Sequence, residues 1–477
     1  MVTYPVSYEE HAVIYSAALL VLFRATLEFV PSLALQLPQV VYRRVVIYCA
    51  GLCLLRKYQT CLGIERQLGG CSHDALTRLL NSKGWTVSQV MIACLQSVFQ
   101  IVSSMPGSCW LMLDDVLLPK AASKRILAAH WDYDYVQQKK LRCVRVVVLC
   151  WTNGLVKIPI SFLLWHKKGS AYLQQEGHRY RTKNELARIL VYKALRKGVP
   201  FDYLLFDSWY AGVVHLKWYD QHGLRFVTAT KCNRKMRLLS IPVTERPSTN
   251  TPIWIEKSPT ELAQEHPHTR EYHSYPAVGC RTRRWEVMLK GYPGFLSLVC
   301  IRNYATHPAF KQITKPVDKK EKDPNKYLLT NACDLTVVEI VQWYRRRWDI
   351  EVLFRDCKQF LGLNAYQGRN VKGHEHHIAC VFLSYVLMEQ MKAYATSSQE
   401  KANTLTIGQV KEWLHRQFLV IGTPGVEGTQ GSLTELTRYH EEELIALLEE
   451  RNLLPETAGL RKQKSQLPEK KKLKKAA

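Results

Sequence analysis

The chain has 477 residues, 47% hydrophobic and 22% charged, a composition that excludes a largely disordered protein. Its 66 lysines and arginines outnumber 41 acidic residues, leaving a formal charge of +25 that calls for a polyanionic partner, most commonly nucleic acid. The apolar run nearest the start, residues 12–23, is shorter than the roughly 18 residues a spanning helix needs and follows Glu9 and Glu10, so neither a membrane span nor a signal peptide is expected. The 14 cysteines are scattered singly without a C-x-x-C pair, the usage of reduced, buried thiols in a cytoplasmic protein.

The charge is not confined to a tail. Residues 101–230 carry 19 basic and 9 acidic side chains and residues 231–330 carry 18 and 9, so the body of the protein is expected to face the polyanion. Residues 1–100 read as helical, with apolar clusters at 12–23 and 40–55 and a Ser72-capped helix before the turn Ser82-Lys83-Gly84-Trp85. Small DNA-binding helical units look like this, and so do plain helical hairpins. From residue 108 the pattern becomes β-like. Cys109 to Leu113 is a strand expected to end in Asp114-Asp115; residues 142–151 and 155–165 form a hairpin about Thr152-Asn153-Gly154. Thr182-Lys183-Asn184-Glu185 is a capping box opening a helix that Gly198 and Pro200 stop, and Tyr203 to Phe206 is a strand ending in Asp207.

Three antiparallel strands, a helix and a strand parallel to the first is the order of an RNase H-like core. The fold class expected is therefore α/β: a mixed-sheet RNase H-like catalytic core in two parts, 101–230 and 331–400. A β-rich insertion at 231–330, rich in proline, separates them. Helical regions flank them at 1–100, the candidate DNA-binding region, and 401–477, which ends in a basic tail. Residues 315–326 form a charged connector, and 461–475, with 8 basic residues and 1 acidic, read as disordered.

The sharpest local signal is the segment Trp343-Tyr344-Arg345-Arg346-Arg347-Trp348-Asp349-Ile350-Glu351, continuing to Lys358 and preceded by a Thr336/Glu339 capping box. One long helix would bring Tyr344, Arg347, Glu351, Arg355 and Lys358 onto a single polar stripe, with Ile350, Leu353 and Cys357 on another face. A solvated stripe of i,i+4 ion pairs is the plain alternative. The spacing Tyr344-x2-Arg347-x3-Glu351-x6-Lys358 resembles the Y-x2-R-x3-E-x6-K signature of bacterial DDE transposases of the insertion-sequence-four type. The likeness runs from about residue 108 to 395.

That resemblance implies a metal-binding acid set. Glu351 matches its third acid and Asp207 its second. For the first, either Asp114 or Asp115 is available, and side-chain alternation lets only one face the site. The family's acid-Asp-Thr string favours Asp115, although Val116 departs from the threonine. It further implies two Mg²⁺ or Mn²⁺ ions, oxygen-ligated, acting on phosphodiesters. Arg347, Lys358 and Tyr344 would contact DNA phosphates. Trp348 matches a position that stabilises a flipped base, Tyr327 lies near a second such position, and Lys231 is a further phosphate contact. For Tyr327 a core aromatic is the competing reading, and a lone strand-end Asp is commonly a turn former. His374, His376 and His377 are spaced wrongly for a metal on one helix face; a DNA contact or helix cap is expected instead. The expected activity is cleavage of an insertion sequence's terminal inverted repeats and their joining to target DNA, by a homodimer on paired double-stranded ends. A structure-selective nuclease and a domesticated DNA-binding regulator are the rivals.

Overall fold

The computed structural model describes residues 30, 32–120, 125–134, 137–240, 253–302, 323–397 and 405–421. The apolar cluster at 12–23, most of the charged connector and the basic tail lie outside them.

Helices come first: α1 (Ser32–Gln36), α2 (Gln39–Leu54), α3 (Cys61–Leu68), α4 (His73–Asn81) and α5 (Val87–Ser104). Ser72 caps α4 by accepting from the Ala75 N–H at 3.3 Å, and Thr86 with Gln89 closes a capping box on α5. The helices do not form a module apart. The α5 helix is apolar because it packs between strand β4 (Lys157–Trp165) and α12 (Val371–Ser397), and its buried residues belong to the same hydrophobic core as the sheet.

The sheet is built from β1 (Trp110–Pro119), β2 (His130–Asp134), β3 (Lys139–Thr152), β4, β5 (Tyr203–Phe206) and β6 (Phe226–Ala229). Between β4 and β5 lie α6 (Ala171–Gln175) and α7 (Lys183–Arg196), and α8 (Val213–Gln221) precedes β6. The expected hairpin forms about Gly154, whose φ of +89° is a left-handed value glycine adopts without strain. Strand β1 pairs antiparallel with β3 and parallel with β5, and β5 parallel with β6. The order β4-β3-β1-β5-β6, with helices packed on it, is an RNase H-like mixed sheet, as expected.

Two expectations need correction. Strand β1 does not stop at Asp114-Asp115 but continues to Pro119, because Val116 and Leu118 extend the buried face and pair with β3. The 231–330 segment is β-rich, as expected. The β7 (Met236–Ser240) and β8 (Ile253–Lys257) strands pair with each other, and α9 (Pro259–Glu265) follows. Beyond them β9 (His273–Tyr275), β10 (Cys280–Val287), β11 (Leu296–Ile301) and β12 (Lys326–Thr330) extend the main sheet, because β12 pairs with β6. Finally, the motif helix is two helices, α10 (Val337–Arg346) and α11 (Trp348–Phe360), meeting at Arg347. Helices α12 and α13 (Ile407–Ile421) complete the described chain.

His374, His376 and His377 act as internal tethers, and the expected capping role is met at His376, which bonds the last-turn Leu80 carbonyl of α4. All three are buried on α12 and pin it to its surroundings. His376 Nδ1 lies 2.7 Å from the Leu80 carbonyl and its ring stacks on Trp85 at 3.8 Å. His377 bridges the Tyr48 hydroxyl (2.9 Å) and the Gly362 carbonyl (3.1 Å), and His374 reaches the Gly368 carbonyl at 2.8 Å. Burial pushes His374 and His376 down to about 4 and His377 to about 3.

The unfolded chain takes up these protons below about pH 6.5, whereas the folded chain refuses them until about pH 4. Stability is therefore full above pH 6.5 and declines as pH falls toward 4, by about 1–2 kcal/mol per histidine at pH 5. Thermal unfolding should give a clearly lower midpoint at pH 5 than at pH 7.5. A midpoint that is flat or rises on acidification contradicts this packing.

Candidate active site

The parallel ladder between β1 and β5 sets the site. Leu113 is the register partner of Phe206, so the next residues along, Asp114 and Asp207, stand side by side and face the same way. Trp110-Leu111-Met112-Leu113 and Tyr203-Leu204-Leu205-Phe206 are almost entirely buried, which anchors both acids at the edge of the core. Asp207 itself caps a short 3₁₀ turn (Ser208–Tyr210), accepting from the Ser208 N–H at 2.7 Å. The third acid comes from α11. Arg347, at the α10–α11 junction, donates through Nη1 to Asp114 at 2.9 Å and through Nη2 to Glu351. One guanidinium thus ties β1 to the motif helix.

The electrostatics follow from this crowding. Burial pushes Asp114 up to about 7, with Arg347 opposing and the negative charges of Asp115, Asp207 and Glu351 adding to the rise. Burial works against the charge of Arg347 too, but Tyr344, Asp114, Glu351 and Asp207 hold its proton well above the ordinary range. The Arg347 guanidinium sits 5.7 Å from the ring centroid of Tyr344.

Asp115 turns the other way, and the structure does not bring it to the other two acids. Its carboxylate accepts from Arg145 Nη1 (2.7 Å), Lys183 Nζ (3.1 Å) and the Tyr210 hydroxyl (2.9 Å). Burial alone would raise its pKa, but Lys183 and Arg145 hold it below the ordinary carboxylate range. The structure therefore groups Asp114, and not Asp115, with Asp207 and Glu351. Neighbouring strand residues point to opposite faces, and the register with β5 selects Asp114. The signal was present in the sequence, because Asp114 and Asp207 each follow an aromatic residue and three apolar ones.

The remaining candidates separate. Lys358 is half-buried, and no hydrogen bond or ion pair is recorded for it among the described residues; burial lowers its pKa, with Asp134 opposing and Arg145 adding. Trp348 is half-exposed at the start of α11, Lys231 is exposed after β6, and Tyr344 is buried. Arg355 leaves the stripe, pairing with Asp356 at 3.2 Å on the exposed side. Tyr327 is a core residue, 2% exposed, whose hydroxyl donates to Asp323 at 2.7 Å, so its ring cannot stack on a base. Sequence reasoning missed Arg145, Lys183, Tyr210 and Trp209. The last is half-exposed two residues after Asp207, with Lys183 Nζ 4.6 Å from its ring centroid.

The two adjacent aspartates should respond oppositely to amidation. Asp115→Asn leaves Arg145 and Lys183 without their shared anion and should cost about 3–5 kcal/mol of stability. Asp114→Asn removes a carboxylate crowded by others and should leave stability unchanged or slightly higher. Urea unfolding of both variants beside wild type decides this, and equal losses contradict the assignment.

Comparison with known proteins gives a family. Residues 33–290 match the family model described as DDE superfamily endonuclease, a stretch that contains Asp114, Asp115 and Asp207 and ends before Glu351. The chain is also 21% identical over 382 residues to a probable transposase for insertion sequence element IS701 from Microchaete diplosiphon, covering 76% of this chain and 88% of that protein. With more than half of its length matched and an RNase H-like sheet carrying the acids, this chain belongs to the DDE superfamily endonucleases.

Proposed function

We propose that the protein is a DNA transposase of the insertion-sequence-four type, with Asp114, Asp207 and Glu351 as its catalytic acids. The observation that carries this reading is the convergence of Asp114 and Glu351 on one guanidinium, Arg347, beside the register-matched Asp207. The donor set suits a hard divalent cation: it offers carboxylate oxygens only, and Asp114 is buried among like charges that such a cation would neutralise. Asp114, Asp207 and Glu351 would hold Mg²⁺ or Mn²⁺, which when bound activates a water or 3′-hydroxyl and stabilises the leaving oxygen of a phosphodiester.

The other residues bind and position DNA. Arg347 keeps Glu351 oriented and, as a planar fork, is suited to a phosphate. Lys358 is a half-buried cation with no hydrogen-bond or ion-pair partner among the described residues, and Lys231 is exposed, so both can meet the backbone. Tyr344 supports Arg347 from beneath. Trp348 and Trp209 offer half-exposed aromatic faces for an unstacked base. The substrate would be the terminal inverted repeats of the element, recognised by the basic body and the N-terminal helices α1 to α5, and cleaved then joined to target DNA by a dimer on paired ends. A nuclease without strand joining would cut the same ends and stop there; a regulator would bind them without cutting.

Labelled DNA carrying the element's own ends, incubated with the protein and Mg²⁺ or Mn²⁺, tests the reading. Wild type should cut and join. Asp114→Asn and Glu351→Gln should bind the ends normally but cut them on the order of a thousandfold more slowly, about 4 kcal/mol of barrier. An Asp114→Asn protein that cuts at the wild-type rate sinks the assignment. Binding should also weaken steeply with salt, since many phosphates would be neutralised by lysine and arginine. A nearly flat salt dependence contradicts a basic body facing DNA.

A further inference from the structure

At the β2–β3 edge a second group of ligating side chains meets, and the chemistry above makes no use of it. His130 and Cys143 are direct partners across the antiparallel β2–β3 ladder, and Asp132 lies two residues along β2 on the same face. One ligand atom from each residue, an imidazole nitrogen, a thiol sulfur and a carboxylate oxygen, lies within 4.8 Å of the others. The second observation is the state of His130. It is 8% exposed, and among the described residues its ring has no side-chain hydrogen-bond partner, only the Ala128 backbone close by. With at most one nitrogen held by the backbone, the other is buried and unsatisfied, which is unfavourable unless something fills the gap. The surroundings are closed: Trp165 packs edge-on against His130 at 5.0 Å, and Cys143 is fully buried. Asp132 is already oriented, its Oδ1 accepting from the Tyr133 N–H at 2.9 Å and its Oδ2 from Arg145 Nε at 2.6 Å.

We propose that His130, Asp132 and Cys143 form a zinc site, distinct from the catalytic acids. A mixed nitrogen, oxygen and sulfur set suits zinc, whereas Mg²⁺ and Mn²⁺ prefer oxygen alone. Thiolate and carboxylate together balance the charge of Zn²⁺, and binding releases the Cys143 thiol proton to solvent. Zinc ligands about 2.0–2.3 Å from the metal stand about 3.3–3.8 Å apart in a tetrahedron, so small side-chain rotations close the site, with water in the fourth position. The ion would clamp the edge strand β2 to β3. Through Asp132 it would steady Arg145, which in turn holds Asp115 beside the active site.

The test is independent of the catalytic reading. The full-length protein, dialysed against zinc in excess Mg²⁺ and then freed of loose metal, should retain one zinc per chain by mass spectrometry of metals. Cys143→Ser and His130→Gln should retain none, and Asp114→Asn should retain it all. Cobalt substitution of wild type should give a thiolate-to-cobalt charge-transfer band, a readout that needs no variant to fold. A wild-type protein without bound zinc, or one whose cobalt form lacks that band, overturns the site. Zinc lost with Asp114→Asn but kept in Cys143→Ser overturns it equally.

Discussion

Leu113 faces Phe206 across a parallel ladder, and the chemistry of the chain depends on that register. A strand fixes side-chain direction with a period of two, so a slip of one residue would exchange Asp114 for Asp115 at the site. What prevents the slip is apolar burial on both sides: Leu111, Met112, Leu113, Leu204, Leu205 and Phe206 are wholly enclosed, and β3 holds β1 from its other edge. The acids inherit their positions from residues that have no chemistry of their own.

Two consecutive aspartates consequently do different work. Asp114 sits among carboxylates and is balanced by Arg347, a cation the DNA phosphates could share. Asp115 is fully committed to Arg145, Lys183 and Tyr210. Because Tyr210 belongs to the 3₁₀ turn that Asp207 caps, Asp115 steadies the loop carrying the second acid. The same network extends through Arg145 to Asp132 on the edge strand. The face opposite the acids thus acts as a frame for them.

Much of the frame was legible in the sequence. The capping box at Thr182, the strand at Tyr203–Phe206, the strand at Leu296–Ile301 and the hairpin about Gly154 are local features, set by turn chemistry and hydrophobic runs, and they lie where those signals put them. Long-range pairing was not legible. In the sequence the family string favours Asp115 while the shared run before Asp114 and Asp207 points the other way, and only the pairing of β1 with β5 sets Asp114 beside Asp207. His376 read as a possible DNA contact because nothing local reveals that Trp85 and Leu80, almost three hundred residues away in the chain, close over it. Tyr327 was set near a stacking position by the resemblance alone, and the competing reading of a core aromatic describes it, because β12 is covered on both faces. The helix break at Arg347 was hidden too, since no proline or glycine marks it.

The central claim is that Asp114, Asp207 and Glu351, and not Asp115, make the metal-binding face. The most direct measurement is anomalous diffraction from crystals of the protein soaked in Mn²⁺. The account predicts manganese density in contact with the carboxylates of Asp114, Asp207 and Glu351, with Asp115 still paired to Arg145 and Lys183. Manganese bound by Asp115, or absent from the Asp114 side of the sheet, would contradict it.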